Sequence, residues 1–115
     1  MIYGIQYEQG DIVIVPFPFS DLTGTKQRPV LILSNKDYNY KTEDVITCGI
    51  TSNTKNIENS ILIDNENLEE GQIPISSRIK ADKLFTLHKK IIKKKIGKLN
   101  HDTFKKVREE LFKLI

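Results

Sequence analysis

An arginine and two hydroxyl side chains stand at the ends of two apolar, β-branched segments of the sequence. Arg28 follows a polar stretch and opens the segment 28–33, while Thr51 closes the segment 45–51 and Ser52 follows it directly. A guanidinium presents a fixed fork of donors that matches phosphate oxygens, and it stays charged when partly buried. Together with hydroxyls, it can hold a phosphodiester and stabilise the charge that develops in the transition state.

RNA is the phosphodiester that needs least from such a site, because its own 2′-hydroxyl can act as the nucleophile. Neither a catalytic serine nor a metal is then required. The residue types also allow a plain interpretation, in which Arg28 is a surface ion-pair partner and Thr51 an ordinary strand residue. On the residue types alone, both interpretations stay open.

Other catalytic chemistries have less support in the sequence. The strong nitrogen and sulfur ligands are His88, His101 and Cys48, and no two of them have the spacing of a metal site. Cys48 lies mid-segment beside Gly49, which favours a small buried core residue. No GxxxxGK[ST] phosphate loop and no GxSxG nucleophile elbow is present. We therefore expect neither a metal nor a cofactor.

The composition suits one domain over residues 1–115, with a single core of modest size. No apolar run approaches the roughly 20 residues that cross a bilayer, and the first residues lack the pattern of a secretion signal. The one cysteine excludes an internal disulfide. These features predict a cytoplasmic protein without a membrane segment.

The net charge of +3 is unevenly distributed. Residues 1–77 hold 5 Lys/Arg and 11 Asp/Glu, which gives −6, and residues 78–115 hold 13 and 4, which gives +9. A basic C-terminal third can attract a polyanion or an acidic partner peptide. The lysines at 89–90 and 93–95 are interpreted as a solvated face rather than an RNA clamp, with a weak, salt-sensitive contribution to RNA binding.

The elements that must position these residues are mostly short strands. The first has apolar residues on both sides of the pleat, so we expect both of its faces to be buried. Pro29 cannot donate a ladder hydrogen bond, so we expect it at the start of its strand or on an edge. The predicted strands are 11–15, 28–33, 45–51, 61–63 and one or two within 77–87.

The remaining segments are predicted as connections and one helix. Residues 35–41 are interpreted as a polar connection and 65–72 as an acidic loop. Asn100 can cap a helix whose apolar positions are Phe104, Val107, Leu111 and Leu114. The fold class is therefore mainly β (α+β), a small barrel closed by a C-terminal helix.

Two long motifs connect these elements to a known family. The run GDIVIVPFPFSDLTG at 10–24 is followed by KQRPVLILS at 26–34, and ITS at 50–52 ends a later strand. In this order of a GD strand, a polar loop and an RPV strand, the chain resembles the MazF/PemK family of toxin endoribonucleases. The likeness extends through 77–87 and 99–100 to the terminal helix, and is weakest over 55–74.

The resemblance implies an SH3-like barrel that forms a homodimer and is neutralised by a cognate antitoxin protein. It implies metal-independent cleavage of single-stranded RNA, often mRNA, at short sequences. Arg28 matches the family's catalytic arginine and Thr51 its catalytic threonine. The products would be a 2′,3′-cyclic phosphate and a 5′-hydroxyl.

The segment 18–27 corresponds to the loop that gates the RNA groove in the family. Phe17 and Phe19 can stack on bases or can equally plug the core beneath that loop. Asp21 and Glu8 are the candidates for a general base. The residues expected to contact RNA are Phe17, Phe19, Thr23, Lys26, Gln27, Ser52 and Asn53.

Two hypotheses from other classes stay open beside the nuclease. One is a toxin-like barrel that binds and poisons a protein such as a topoisomerase. The other is a non-catalytic module that binds nucleic acid or a peptide. Arg28 and Thr51 discriminate between the classes, because neither alternative requires that pair.

Overall fold

The computed structural model describes residues 6–18 and 25–115. Over these residues the chain forms short strands, two α-helices and two single 3₁₀ turns, at Asn65–Asn67 and Lys89–Ile91. In chain order the elements are β1 (Asp11–Pro18), β2 (Thr25–Ile32), α1 (Lys36–Lys41), β3 (Asp44–Thr51), β4 (Ser60–Ile63), β5 (Leu68–Gly71), β6 (Ser77–His88), β7 (Lys94–Leu99) and α2 (His101–Phe112).

The seven described strands form one antiparallel sheet in the order β4-β6-β3-β2-β1-β7-β5. The sheet curls into a half-barrel, and α2 packs against β6 and β4. The predicted class, a mainly β barrel of the SH3-like kind with a C-terminal helix, is confirmed. None of the described helices combines the length and the apolar character that crossing a bilayer requires.

Strand β1 is buried on both faces, as its sequence predicts. Ile12 packs in one apolar cluster with Leu31 and Phe104, while Val13 and Val15 pack in a second cluster on the other side of the sheet. The strand is longer than predicted, because its ladder with β2 runs from the Ile12–Leu31 pair to the Pro18–Thr25 pair. Antiparallel pairing therefore continues through Pro16 and Pro18, although prolines at this point had led us to end the predicted strand at residue 15.

Helix α2 closes the first cluster with Phe104 and Val107, as predicted. The Asn100 side chain accepts a hydrogen bond from the Thr103 N–H at 2.9 Å, which confirms the predicted cap. Leu111 packs against the cluster, but the helix ends at Phe112. Leu114 therefore lies beyond the helix and is exposed, contrary to the prediction.

The Gly10-Asp11 pair of the first motif has a structural role. Gly10 adopts a φ of +94°, which favours glycine, and its N–H donates to the Ile32 carbonyl at 2.8 Å. The Asp11 carboxylate is 1% exposed. It accepts from the Glu8 N–H at 2.9 Å, and the Lys95 ammonium lies 3.2 Å from it. This ion pair, which joins a buried carboxylate to a partly exposed ammonium, holds the start of β1 to β7.

Two segments predicted as connections contain regular structure. Residues 36–41 form α1, capped by Asn35, whose side chain accepts from the Tyr38 N–H at 2.9 Å. Inside this turn, the buried Asn39 amide donates to the carbonyls of Tyr7 and Ser34. Satisfying these buried groups stabilises a helix whose polar sequence gave no periodic signal.

The acidic segment 65–72 was also predicted wrongly, because it forms the turn Asn65–Asn67 and strand β5. Strand β5 pairs with β7, so its conformation is imposed by its neighbour. Gly71 has a φ of +73°, and a Cβ atom there would lie 2.1 Å from the Ile96 carbonyl oxygen. The two strands thus approach more closely than any side chain at this position allows.

The lysine run was interpreted as a solvated face, and Lys93, Lys94 and Lys95 are exposed, but the second half of the run belongs to a strand that the sequence did not predict. Lys94 and Lys95 begin β7, with Ile96 and Leu99 packed against the core. Lys95 is paired with Asp11 at 3.2 Å and with Glu70 at 3.5 Å. Lysine-rich composition concealed a strand because each lysine stem can leave its charge at the surface.

Candidate active site

The described ladder between β2 and β3 joins only three residue pairs, from Ile32–Thr47 to Val30–Gly49. Continuing this register by two residues along each strand places Arg28 opposite Thr51. Because directly opposed residues of an antiparallel pair share a face of the sheet, the two side chains face the same space. Both predicted catalytic residues therefore border the gap at which the described pairing of β2 and β3 stops.

Pro29 lies at the edge of this gap. It was expected at the start of its strand or on an edge strand, but it occupies the middle of β2, opposite Ile14 of β1. The described pairing with β3 begins at the next residue, Val30. Proline, which has no N–H, is tolerated here because this residue lies outside the described β2–β3 ladder and donates no hydrogen bond to it.

Arg28 and Thr51 line one cavity of about 270 Å³. Both side chains are half-buried. The Thr51 hydroxyl oxygen accepts from the Asn53 N–H at 3.1 Å. A hydroxyl that accepts one hydrogen bond keeps its own proton for donation, so this bond orients the group without using up its donor.

A second cavity of about 290 Å³ adjoins the first, and Arg28 lines both. Three residues predicted to contact RNA line this larger cavity, namely Lys26, Gln27 and Ser52. The rest of its wall is mainly apolar, from Ile14, Pro29, Ile50, Ile73, Pro74, Ile75 and Ile96. Arg28 thus borders both a cavity with several cationic side chains and one lined mainly by apolar side chains.

The other predicted contacts are placed less directly. Asn53 is exposed in the segment after β3, and its described role is to hold Thr51 through its backbone. For Phe17 only the backbone is described, in β1 opposite Lys26. Phe19 and Thr23 lie outside the described residues. The predicted loop 18–27 is shorter than expected, because Pro18 and residues 25–27 belong to strands.

Sequence reasoning missed the part of the site that β6 supplies. Lys80, Lys83 and Phe85 line the smaller cavity. They reach it because β6 bulges: Gly49 pairs with Lys80 and the preceding Cys48 pairs with Leu84. The extra residues bend the strand and re-aim its side chains. Two lysines within an otherwise strand-like segment were the available signal.

Gly49 lies against the side chains of the bulge. A Cβ atom there would meet the Phe85 ring at 3.7 Å and the Lys83 stem at 3.8 Å. These side chains therefore close over the glycine and form one wall of the smaller cavity. With Arg28, Lys80 and Lys83 around it, this cavity is suited to an anion.

Of the two candidate bases, Asp21 lies outside the described residues. Glu8 is bound elsewhere, because its carboxylate accepts a hydrogen bond from the Lys98 ammonium on β7. That hydrogen bond and the charge of Lys98 lower the Glu8 pKa below its ordinary value. Glu8 lines neither of the two cavities, so it is not placed to take a proton there. Within 6–18 and 25–115, no three His, Cys, Asp or Glu side chains cluster as a metal site would need.

Solved structures with the same fold include toxins and their complexes. A MazE–MazF structure from Deinococcus radiodurans has a TM-score of 0.80 at 22% identity and covers 96% of each chain. An endoribonuclease from a Mycobacterial species has a TM-score of 0.77 at 20% identity, covering 97% of this chain and 93% of its own. A Mycobacterial endoribonuclease in complex with its cognate antitoxin also has a TM-score of 0.77 at 20% identity, covering 93% and 92%.

A search of curated protein sequences found no match. The model of one protein family does match, over residues 8–115, and that family is described as the PemK-like, MazF-like toxin of type II toxin–antitoxin systems. The match includes both motifs and every described strand. The chain therefore belongs to the PemK-like, MazF-like toxin family.

Proposed function

We propose that this protein is an endoribonuclease that cleaves single-stranded RNA without a metal ion. The observation that carries the proposal is the shared cavity of Arg28 and Thr51, at the gap between β2 and β3. Family membership supports it, as does the name endoribonuclease that relatives of the same fold carry. Arg28 and Thr51 are assigned as its catalytic residues.

In the proposed reaction the 2′-hydroxyl loses its proton to water as its oxygen attacks the adjacent phosphorus, and the bond from phosphorus to the 5′-oxygen breaks as that oxygen takes up a proton from water. One fragment ends in a 2′,3′-cyclic phosphate and the other begins with a 5′-hydroxyl. Arg28 stabilises the added negative charge of the pentavalent transition state, and Thr51 donates a hydrogen bond to a phosphate oxygen. Lys80 and Lys83 add positive charge on the far wall.

The larger cavity is suited to the part of the substrate beside the scissile phosphate. Its apolar wall can hold the face of a base, while Gln27 and Ser52 offer hydrogen bonds at the rim. Lys26 adds a cation next to Arg28. Contacts from Phe17, Phe19, Thr23 and Asn53 stay predictions from the family resemblance. A substrate of mRNA would place the activity in the cytoplasm.

The family and its solved complexes also suggest partners. One relative of the same fold was solved as MazE–MazF and another with its cognate antitoxin. We extend this to the present chain, as a homodimer that a cognate antitoxin neutralises. Cleavage at a short sequence belongs to the same proposal.

The decisive test is incubation of purified protein with mixed-sequence RNA in EDTA. We expect cleavage that survives chelation, with new 5′-hydroxyl ends that accept phosphate from a polynucleotide kinase. The Arg28→Ala variant should not cut, whereas Arg108→Ala on α2 should cut as the wild type does. Growth arrest with intact RNA would instead indicate a toxin that poisons a protein. Neither cleavage nor toxicity would indicate a non-catalytic binding module.

A further inference from the structure

Arg78 lies beside the proposed site without lining either of its two cavities. On β6 it is the Cα partner of Thr51 on one side and of Leu62 on the other. Directly opposed residues share a face of the sheet, so Arg78 and Thr51 project to the same side. Lys80, two residues along the same strand, projects to that side as well and lines the smaller cavity. One strand therefore presents two cations next to the proposed site.

The Arg78 guanidinium binds the protein's own backbone and side chains. Its Nε donates to the Thr54 carbonyl at 3.1 Å, and Nη1 donates to the Ser60 hydroxyl at 3.1 Å. Thr54 lies near the start of the segment 52–59 between β3 and β4, and Ser60 lies directly after its end. One side chain thus ties together both ends of this segment.

The same segment orients the Thr51 hydroxyl. The Asn53 N–H donates to Thr51 Oγ1, and the Lys55 N–H donates to Asn53 Oδ1, each at 3.1 Å. Residues 52–58 are exposed, so core packing contributes little to their placement. The segment also carries Ser52, which lines the larger cavity. Fixing 52–59 therefore fixes one group in each cavity.

We propose that Arg78 is a positioning residue that holds segment 52–59 in place, so that the Thr51 hydroxyl and Ser52 stay aimed at the substrate. This inference rests on the proposed nuclease function. The planar fork of arginine reaches both acceptors at once, which an ammonium cannot reproduce. Arg78 then acts on kcat through Thr51 and makes no contact with RNA of its own.

The test is a double-mutant cycle between Arg78→Met and Thr51→Val. Methionine keeps the apolar stem of the side chain and removes its donors. In the wild-type background we expect Arg78→Met to lower kcat about 10- to 100-fold, since small misplacements near the reacting atoms have effects of that size. In the Thr51→Val background the same change should alter kcat by no more than about twofold. Independent losses that multiply in the double variant would overturn the proposal.

Two further measurements separate positioning from direct phosphate contact and from misfolding. RNA affinity of Arg78→Met should keep the wild-type dependence on salt, whereas a lost phosphate contact would lower the slope by about 0.7. Arg78→Lys keeps the charge but should lose kcat as Arg78→Met does. Arg108→Met, which removes the same charge on α2, should leave kcat unchanged. A flatter salt dependence for Arg78→Met, or full activity of Arg78→Lys, would contradict the assignment.

A readout without RNA keeps this inference distinct from the proposed function. In Arg78→Met we expect faster hydrogen exchange at the amides of Asn53 and Lys55, with exchange in β1 and α2 unchanged. If wild-type protein does not cut RNA, the nuclease proposal fails, and this exchange still tests whether Arg78 holds the segment. Unchanged exchange at both amides would refute the positioning role.

Discussion

Arg28 and Thr51 stand two residues beyond Val30 and Gly49, the last described pair of the β2–β3 ladder, and their side chains line one cavity. They are 23 positions apart in the sequence, so their proximity depends on the register of the sheet. A shift of one residue would turn one of them to the opposite face. The proposed catalytic geometry is therefore a property of strand pairing.

The first prediction concerns the shape of the cation at position 28. Arg28→Lys keeps the charge and removes the fork, so we expect it to lose most activity, about 100-fold or more in kcat. The melting temperature should stay close to that of the wild type, because residue 28 is only half-buried and lines a surface cavity. RNA-cleavage rates of Arg28→Lys beside Arg108→Lys provide the measurement. Full activity of Arg28→Lys would exclude bidentate phosphate contact.

The second prediction concerns the hydroxyl at position 51. Thr51→Val keeps the shape of the side chain and removes its donor, so we expect normal folding and a kcat lowered by about 100-fold. Thr51→Ser retains the hydroxyl and should recover part of that loss. Single-turnover cleavage with saturating enzyme measures the chemical step directly. An unchanged rate in Thr51→Val would remove this residue from the site.

The third prediction separates two lysines of the basic run. Lys94 is the Cα partner of Ile14, and both Ile14 and Ile96 line the larger cavity, so Lys94 projects to the side of the sheet that carries the cavity. If RNA follows this side, Lys94→Ala should lower the salt slope of binding by about 0.7.

Lys90, in the turn between β6 and β7, provides the matched control for that change. Its removal takes away the same charge from an exposed position that lines neither cavity. Binding isotherms at several salt concentrations would measure both variants. Equal slopes for Lys94→Ala and Lys90→Ala would indicate that RNA does not pass Lys94.

The fourth prediction concerns the thiol of Cys48. Burial raises its pKa to about 12, with a smaller contribution from the charge of Asp82. The thiolate is the reactive form, so native protein should not react with a disulfide reagent at pH 8. One equivalent should react after denaturation, because the chain has a single cysteine. Rapid labelling of the native protein would show that β3 opens readily.

The fifth prediction concerns stability against pH. The hydrogen bond from Lys98 lowers the Glu8 pKa below its ordinary value of 4.5. A lowered carboxyl pKa contributes stability above that ordinary value, and this is lost as the pH falls through the folded-state pKa. Lys98→Met should therefore be less stable than the wild type at neutral pH, with a difference that shrinks as the pH falls below 4.5 and through the lowered pKa of Glu8.

The same hydrogen bond raises the Lys98 pKa, although burial of the ammonium acts in the opposite direction. This contribution is present below the ordinary lysine value of 10.5 and disappears only as the pH rises through the raised pKa. Urea unfolding across the pH range would measure both the loss of stability at acid pH and the loss at alkaline pH. A difference between wild type and Lys98→Met that does not change with pH would show that Glu8 and Lys98 are uncoupled.

Much of the fold could be predicted because the core strands carry continuous apolar runs. The positions of β3 and α2 and the burial of Cys48 followed from local pattern and capping. Strands β5 and β7 could not be found in this way. β5 is acidic and pairs with β7, whereas β7 is lysine-rich and pairs with both β1 and β5. Long-range pairing leaves little trace in local composition.

The part of the proposed site that lies in sequence motifs could be predicted. Arg28 and Thr51 were predicted because they stand at the ends of apolar runs in the sequence, within a familiar order of motifs. Lys80 and Lys83 were missed, because their approach depends on a bulge that shifts the register of β6 against β3. Arg78 was missed for a related reason, since its partners Thr54 and Ser60 are 24 and 18 positions away.

Substitutions at Gly71 should abolish activity as substitutions of a catalytic residue do, although Gly71 lies outside the proposed site. Any larger residue there would collide with the Ile96 carbonyl and detach β5, which would leave a row of β7 amides without their neighbours. In a selection for inactive variants, substitutions at this glycine would be recovered alongside those at Arg28. Solubility of the recovered proteins would distinguish the Gly71 variants from the Arg28 variants. An exposed strand edge promotes self-association, whereas removal of the Arg28 guanidinium does not.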